Sequence, residues 1–433
     1  MRINAPIPTL KTTGPLSGVV KAIASKSHVH RLLMAAALAD RPTVILCETR
    51  SDDIAATMRV LQGLGARFHE TPTQIEVTPI GELPPLAQLD CGESGTTLRF
   101  MLPILAALGA RAHLLRRGRL VSRPLSPLDD TLRSHGVTLS ETHRDPLAIE
   151  GQLTPGHYEI AANVSSQYIG GLLFALSRLE GVSELTLTAT IESLPYIQMT
   201  LDVLRTFGQV ITHDETMRHY RIEGRGQFTS PGIIQAEGDW SNAAFWLAAG
   251  AIGAPGTSLT LTQINAHSLQ GDKAMVSLLE AFGADIEQTD NSVRVTAQPL
   301  KGITIDAAHI PDLVPILSVV AACAQGKTYF QHIARLRLKE SDRVATTLAL
   351  LHALGIEASA TEDSLCVHGG TLCSGRVDGA NDHRIVMAAA IASSRIAEGV
   401  LIDDPKAVNK SYPHFFDDFE QLGGTVTVWE ETL

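Results

Sequence analysis

The sequence predicts an α/β fold in two similar halves of three repeat units each, and two series of segments recurring roughly every 70 residues predict it. The first series consists of short amphipathic helix patterns that end in glycine and run into a β-like stretch: MRVLQGLGARF, LDDTLRSHGVTL, LDVLRTFGQVI, VSLLEAFGADI, LALLHALGIEA and FDDFEQLGGTVTV. Their glycines, Gly65, Gly136, Gly208, Gly283, Gly355 and Gly423, suit helix C-caps in the left-handed region. The second series consists of polar clusters that open strongly apolar helices.

In chain order, SKSHVHRLLMAAALA opens the first unit, GESGTTLRFMLPILAAL the second and VSSQYIGGLLFAL the third. DWSNAAFWLAAGAI, IPDLVPILSVVAACA and NDHRIVMAAAIAS open the other three. A helix apolar on every side is buried, so each presents only its polar N-terminus at one end of its unit. Alternating stretches such as SELTLTATI and SVRVTA supply strands. Proline and glycine interrupt the pattern at TTGPLSG and SPGIIQAEGDW, which sets the expected domains at 19–236 and at 1–18 with 237–433.

The bulk properties narrow the function. A net charge of −11 and a pI near 5.8 argue against a nucleic-acid partner, which needs a basic face. No apolar run approaches the ~18 residues that span a bilayer, and the start, MRINAPIPTLKTTG, has prolines where a secretory signal needs an apolar core. A cytoplasmic protein is expected, with Cys47, Cys91, Cys323, Cys366 and Cys373 reduced, since they form no CxxC pair. His28 and His30 stand at i,i+2 and point to different sides of a helix, so no metal is assigned.

Small anions remain, because a few focused cations suffice to bind them. Lys26 and Ser27 precede a helix whose first turns carry Arg31; Gly95, Thr96 and Arg99 open another, and Ser165, Ser166 and Gln167 a third. Free N–H groups, hydroxyls and cations at helix N-termini form a cradle for phosphate or carboxylate, although a serine there is also an ordinary N-cap. RLRLKESDRV packs Arg335, Arg337, Lys339, Glu340, Asp342 and Arg343 together, which also fits a solvated helix start capped by Ser341 or Asp342. Arg384 lies in the first turn of a helix too apolar to be exposed and needs an anionic partner, for which Asp382 is the nearest candidate. Arg123 before Pro124 and Lys410 in NKSYPHFF complete the cations.

SKSHVHR, GESGTTLR, SRP, VSSQ, SLPYI, EGDWS, HIPD, LKESDR, NDHR and NKSYPHFF, in this order along essentially the whole chain, resemble the 3-phosphoshikimate 1-carboxyvinyltransferase (5-enolpyruvylshikimate-3-phosphate synthase) family of enolpyruvyl transferases. The resemblance implies two domains of three βαβαββ units each, an inside-out α/β barrel arrangement, with the active site in the interdomain cleft. It implies transfer of the enolpyruvyl group of phosphoenolpyruvate to the 5-hydroxyl of shikimate 3-phosphate with release of phosphate, on the shikimate route to chorismate and aromatic amino acids. No cofactor is expected, and the protein is expected to be a monomer whose partners are these small anions.

Carried over by position, Lys26, Ser27 and Arg31 match contacts to shikimate 3-phosphate, with Lys26 also reaching phosphoenolpyruvate. Ser165, Ser166, Gln167 and Ser193 match the same site, with Tyr196 beside the ring and Gln167 facing both ligands. Gly95, Arg123, Arg343, Arg384 and Lys410 match the phosphoenolpyruvate site, and Asp312 and Lys339 the shikimate hydroxyls. Addition across an enol ether needs a proton donor at the methylene carbon and a base at the attacking hydroxyl. Glu340 and Lys410 are expected at the first and Asp312 at the second, with Lys26 completing the catalytic set.

Glu93, Arg335 and Phe100 depart from the common family pattern, and the first two are left out of the site. A sister carboxyvinyltransferase acting on UDP-N-acetylglucosamine usually has a loop cysteine where this chain reads RRGRLVSRP, without one.

Overall fold

The structure is a computed structural model and describes residues 9–429. Twelve α-helices lie among the described residues, alternating between the two predicted kinds. The buried series is α1 (Lys26–Ala37), α3 (Gly95–Leu108), α5 (Ser166–Arg178), α7 (Trp240–Ile252), α9 (Val314–Ala322) and α11 (His383–Ser393). Every residue of α7, α9 and α11 is buried, as their near-continuous apolar sequences require. The amphipathic series is α2 (Asp52–Gly63), α4 (Leu128–Ser134), α6 (Leu194–Thr206), α8 (Met275–Phe282), α10 (Arg343–Ala353) and α12 (Phe415–Gln421). The six predicted capping glycines follow these helices with φ between +78° and +109°.

The strands form six four-stranded sheets of one pattern. In the simplest, Ala87–Asp90 runs parallel to Ala112–Leu115, with α3 as the crossover. Leu147–Glu150 then pairs antiparallel with Ala112–Leu115 and with Thr138–Leu139, and α4 lies between, giving βαβαββ. Three of the sheets are built from consecutive strands. The other three borrow one strand each: Ile233–Gln235 joins Thr43–Leu46, Gly18–Lys21 joins Ser258–Thr262, and Thr9–Thr13 lies between Val400–Asp403 and Thr425–Trp429.

These borrowings define two compact units: one of residues 24–237, the other joining 238–433 to 1–23. The crossings fall after Ile23 and Glu237. The sequence suggested breaks after 18 and 236; the first lies further on because Gly18–Lys21 is a strand of the second unit. Each unit has its own apolar core.

In the 24–237 unit, α3 packs along α5. A Cβ on Gly170 would lie 2.6 Å from Phe100 Cζ, so the glycine makes room for the ring. Phe100 is fully buried there. Among the described residues no helix is long and apolar enough to cross a membrane.

Candidate active site

In the 24–237 unit the polar N-termini of α1, α3 and α5 are capped by serines. Ser25, Ser94 and Ser165 accept from the backbone N–H of His28, Thr97 and Gln167 at 3.3–3.4 Å. None of these helices has an acidic residue in its first turn. Neutral caps leave the positive helix ends uncompensated, and cations are added to them. Lys26 and Ser27 are the first two residues of α1 and do not precede it as the sequence suggested, because Ser25 is the cap.

Lys26 Nζ meets Asp53 Oδ2 of α2 at 2.9 Å. Arg31 is 2 % exposed and reaches from α1 to α6: Nε donates to Thr200 Oγ1 at 2.8 Å, and the two terminal nitrogens donate to the carbonyls of Ser27 at 2.7 Å and Tyr196 at 3.1 Å. Its guanidinium also lies 5.0 Å from the Phe100 ring centroid. Burial pushes its pKa down to about 10, with only neutral hydrogen-bond partners around it.

Gln167 ties α5 to α3, accepting from Arg99 at 2.9 Å and donating to Thr96 Oγ1 at 2.8 Å. Arg123 folds back onto the first turn of α3, where a Cβ on Gly95 would stand 2.8 Å from its terminal nitrogen. A Cβ on Gly118, in the turn leading to Arg123, would lie 2.7–2.9 Å from the Glu93 carboxylate. Ser193, in the left-handed region at φ +53°, is the N-cap of α6, and its carbonyl accepts from Tyr196 N–H at 3.0 Å. A serine held there costs on the order of 1 kcal/mol. Ser166 is buried at the head of α5.

The other unit has the opposite character, with carboxylates at the helix heads. Asp239 caps α7, Asp382 caps α11, and Asp312 sits in the 3₁₀ turn (Pro311–Leu313) before α9. Asp312 is shared by three cations: Oδ1 lies 2.7 Å from Arg343 and 3.3 Å from Lys339, and Oδ2 lies 3.3 Å from Arg384. Burial raises its pKa, but Lys339, Arg384 and Arg343 outweigh that and hold the carboxyl well below the usual carboxylate range.

Arg343 also meets Glu340 at 2.7 Å and Asp382 at 2.8 Å, and Asp382 accepts from Ser341 Oγ at 2.9 Å. Asp312 therefore meets the Arg384 guanidinium; Asp382, suggested for that place, takes the backbone N–H of Arg384 and the side chain of Arg343. Lys339 is pushed down to about 8, by burial first and then by Arg343 and Arg335 against the pull of Asp312 and Glu340. Arg335 itself donates to the Ala308 carbonyl. Lys410, at the end of the 3₁₀ turn Pro405–Lys410, donates to the Asn381 carbonyl at 2.6 Å.

Ala380 and Asn381 both lie in the left-handed region, at φ +50° and +52°, as does Asp404 at +55° before the Lys410 turn. These strained residues open the very elements that bear Arg384 and Lys410. Asp53, Thr200 and Asp272, which accepts from Ser241, lie outside the motifs read in the sequence; Ser241 closes the EGDWS motif but was given no role, and Arg99 was left out of the final set. His30 joins them: it is fully buried, its Nδ1 lies 2.7 Å from Thr57 Oγ1, and burial holds it well below the usual histidine value.

The arrangement gathers cations at the helix ends of both units and, in one of them, a cluster of carboxylates, arginines and a lysine. The family profile described as EPSP synthase (3-phosphoshikimate 1-carboxyvinyltransferase) matches residues 10–419. This chain belongs to the EPSP synthase family.

A 3-phosphoshikimate 1-carboxyvinyltransferase of Clostridium kluyveri is 37% identical over 417 residues, 96% of this chain and 97% of the relative. One of Clostridium perfringens is 38% identical over 418 residues, covering 95% and 97%. An EPSP synthase structure from Acinetobacter baumannii, 24% identical, superposes with a TM-score of 0.81 over 98% of this chain and all of that one. The enolpyruvyl transferase NikO of Streptomyces tendae, 20% identical, has the same fold at a TM-score of 0.78 over 98% and 100%.

Proposed function

We propose that this chain transfers the enolpyruvyl group of phosphoenolpyruvate to the 5-hydroxyl of shikimate 3-phosphate and releases phosphate. The observation that carries the reading is Asp312 held at once by Lys339, Arg343 and Arg384, with Glu340 on the same arginine. A carboxylate that occupies two arginines stands where a substrate anion is wanted. An anion that takes over Arg343 and Arg384 relieves Asp312 of their charge and restores its basicity.

In the addition step the substrate 5-hydroxyl oxygen bonds to C2 of phosphoenolpyruvate, its proton passes to Asp312, and the methylene carbon gains a proton from Glu340 or Lys410. Elimination returns the methylene proton to the residue that gave it and breaks the C2–O bond, and phosphate leaves with the proton that Asp312 took up. Until that bond breaks, the tetrahedral species keeps both its phosphate and its carboxylate, so Arg123, Arg343 and Arg384 can hold it by paired N–H groups. No covalent bond to the protein is needed.

In the 24–237 unit the neutral serine caps suit a phosphate, which brings its own negative charge to the helix ends. Lys26, Ser27, Arg31, Ser165, Ser166, Gln167, Ser193 and Tyr196 are assigned to shikimate 3-phosphate, with Asp312 and Lys339 at its hydroxyls. Lys26, Gly95, Arg123, Gln167, Arg343, Arg384 and Lys410 are assigned to phosphoenolpyruvate. The five free cysteines suit a reducing compartment, and the protein is assigned to the cytoplasm as a monomer acting on small anions.

Phosphate release measured with each acceptor tests the reaction. Turnover is expected with shikimate 3-phosphate; turnover with UDP-N-acetylglucosamine alone would overturn the choice of acceptor. A single sedimentation species of about 46 kDa is expected for the monomer.

A further inference from the structure

Beneath Arg384 lies an acid that the reaction scheme does not use. Asp272, in the 3₁₀ turn Gly271–Ala274, is completely buried. Its Oδ2 accepts from the Ser241 hydroxyl, and Ser241 stands in the first turn of α7. The Ser241 carbonyl in turn accepts from the Arg384 guanidinium at 3.2 Å, and that guanidinium also meets Asp312 at 3.3 Å. The turn is fastened to the same helix end a second time by Gln270, whose amide oxygen accepts from Trp240 N–H at 3.0 Å and whose nitrogen donates to the Gly238 carbonyl at 2.7 Å. Asp272 therefore reaches Arg384 through one serine.

The charged groups that act on Asp272 are Asp312 from the turn before α9, Arg384 from α11 and Asp239 at the cap of α7. Two other carboxylates thus act on Asp272, and the guanidinium that opposes them is also assigned to a substrate anion. When that anion arrives, the local charge becomes more negative in a buried setting, where an uncompensated charge is expensive. Asp312 keeps Lys339 beside it, so the carboxylate best placed to gain a proton from solvent is the fully buried one bonded to a neutral hydroxyl. Burial, with Asp312 adding to it, already pushes Asp272 up to about 6.

We propose that Asp272 is a further positioning residue of the anion-binding set: through Ser241 it supports the contact made by Arg384, and it takes a proton from solvent when an anion reaches that guanidinium. The carboxylate becomes a carboxylic acid, still hydrogen-bonded to Ser241, and the buffer supplies the proton. By linkage, anion affinity falls as pH rises past the point where the empty protein's Asp272 ionises.

The inference rests on Arg384 as an anion contact, as proposed above, but its test needs no turnover. Inorganic sulfate, which stays dianionic between pH 5.5 and 8, is titrated calorimetrically into the whole protein at pH 6.5 in two buffers of different ionisation enthalpy. Wild type is expected to take up about half a proton more per bound sulfate than D272N, and its affinity should fall up to about tenfold more than the variant's between pH 6 and 8. D272S is measured alongside, so that either neutral variant with a cooperative melt suffices. Equal proton uptake in wild type and variant, or none in wild type, overturns the proposal. So does a variant that binds sulfate more weakly at every pH with the linkage intact, the behaviour of a merely structural carboxyl. Absence of carboxyvinyl transfer would leave this result untouched and count only against the reaction.

Discussion

Lys339 is a partly buried ammonium whose contact with Asp312, at 3.3 Å, is shared with two arginines, and its pKa is pushed down to about 8. As a shikimate-hydroxyl ligand it acts as a cation, so kcat/KM for shikimate 3-phosphate should decline as pH rises through about 8. Arg335 is one of the groups depressing it. R335N should therefore move that alkaline limb upward, and an unchanged limb would remove Lys339 from the substrate contacts.

Lys26 poses the complementary case. Its ammonium is held at the head of α1 by Asp53, beside serine-capped helix ends with no acid of their own. Lys26→Met should lower kcat by about 100- to 1,000-fold, as for loss of a central electrostatic contact, with a cooperative melt retained. Near wild-type turnover would take Lys26 out of the catalytic set.

A helix end acts through what its first turn lets approach. Gly95 opens α3, and a Cβ there would press on the Arg123 guanidinium at 2.8 Å and 3.2 Å. Gly95→Ala should displace Arg123 and raise KM for phosphoenolpyruvate several-fold, with shikimate 3-phosphate binding nearly unchanged by calorimetry; the reverse selectivity would reject the assignment. The glycine was legible in the sequence as the start of an apolar helix, as were all six buried helices and the six glycine caps, because period and turn chemistry are local signals. The motif cations were legible too. Their partners were not: Lys26 meets Asp53, 27 positions away, and Arg384 meets Asp312, 72 positions away. Nothing local distinguishes Asp312 from Asp382 as the partner of Arg384. The left-handed Ala380 and Ser193 were equally hidden, since neither residue type favours that conformation. Phe100, which departs from the family pattern, is accommodated by Gly170 on α5, a pairing visible only once the two helices are side by side.

Strand exchange was the least legible feature, because period alone does not say which strands pair, and it governs how the chain can be divided. Residues 24–237 contain all four strands of three sheets and a complete core of their own. Residues 238–433 lack one strand in each of two sheets, because Gly18–Lys21 and Thr9–Thr13 come from the chain start. Without Thr9–Thr13, both Val400–Asp403 and Thr425–Trp429 lose their shared central neighbour, and each is left with unpaired backbone groups on the edge that faced it. A fragment of residues 24–237 should therefore melt cooperatively by circular dichroism, whereas 238–433 alone should give no cooperative transition. Fusing residues 1–23 after residue 433 restores both missing strands to that fragment and should recover its transition. Cooperative melting of 238–433 without them would mean that the two borrowed strands contribute little to the unit they complete.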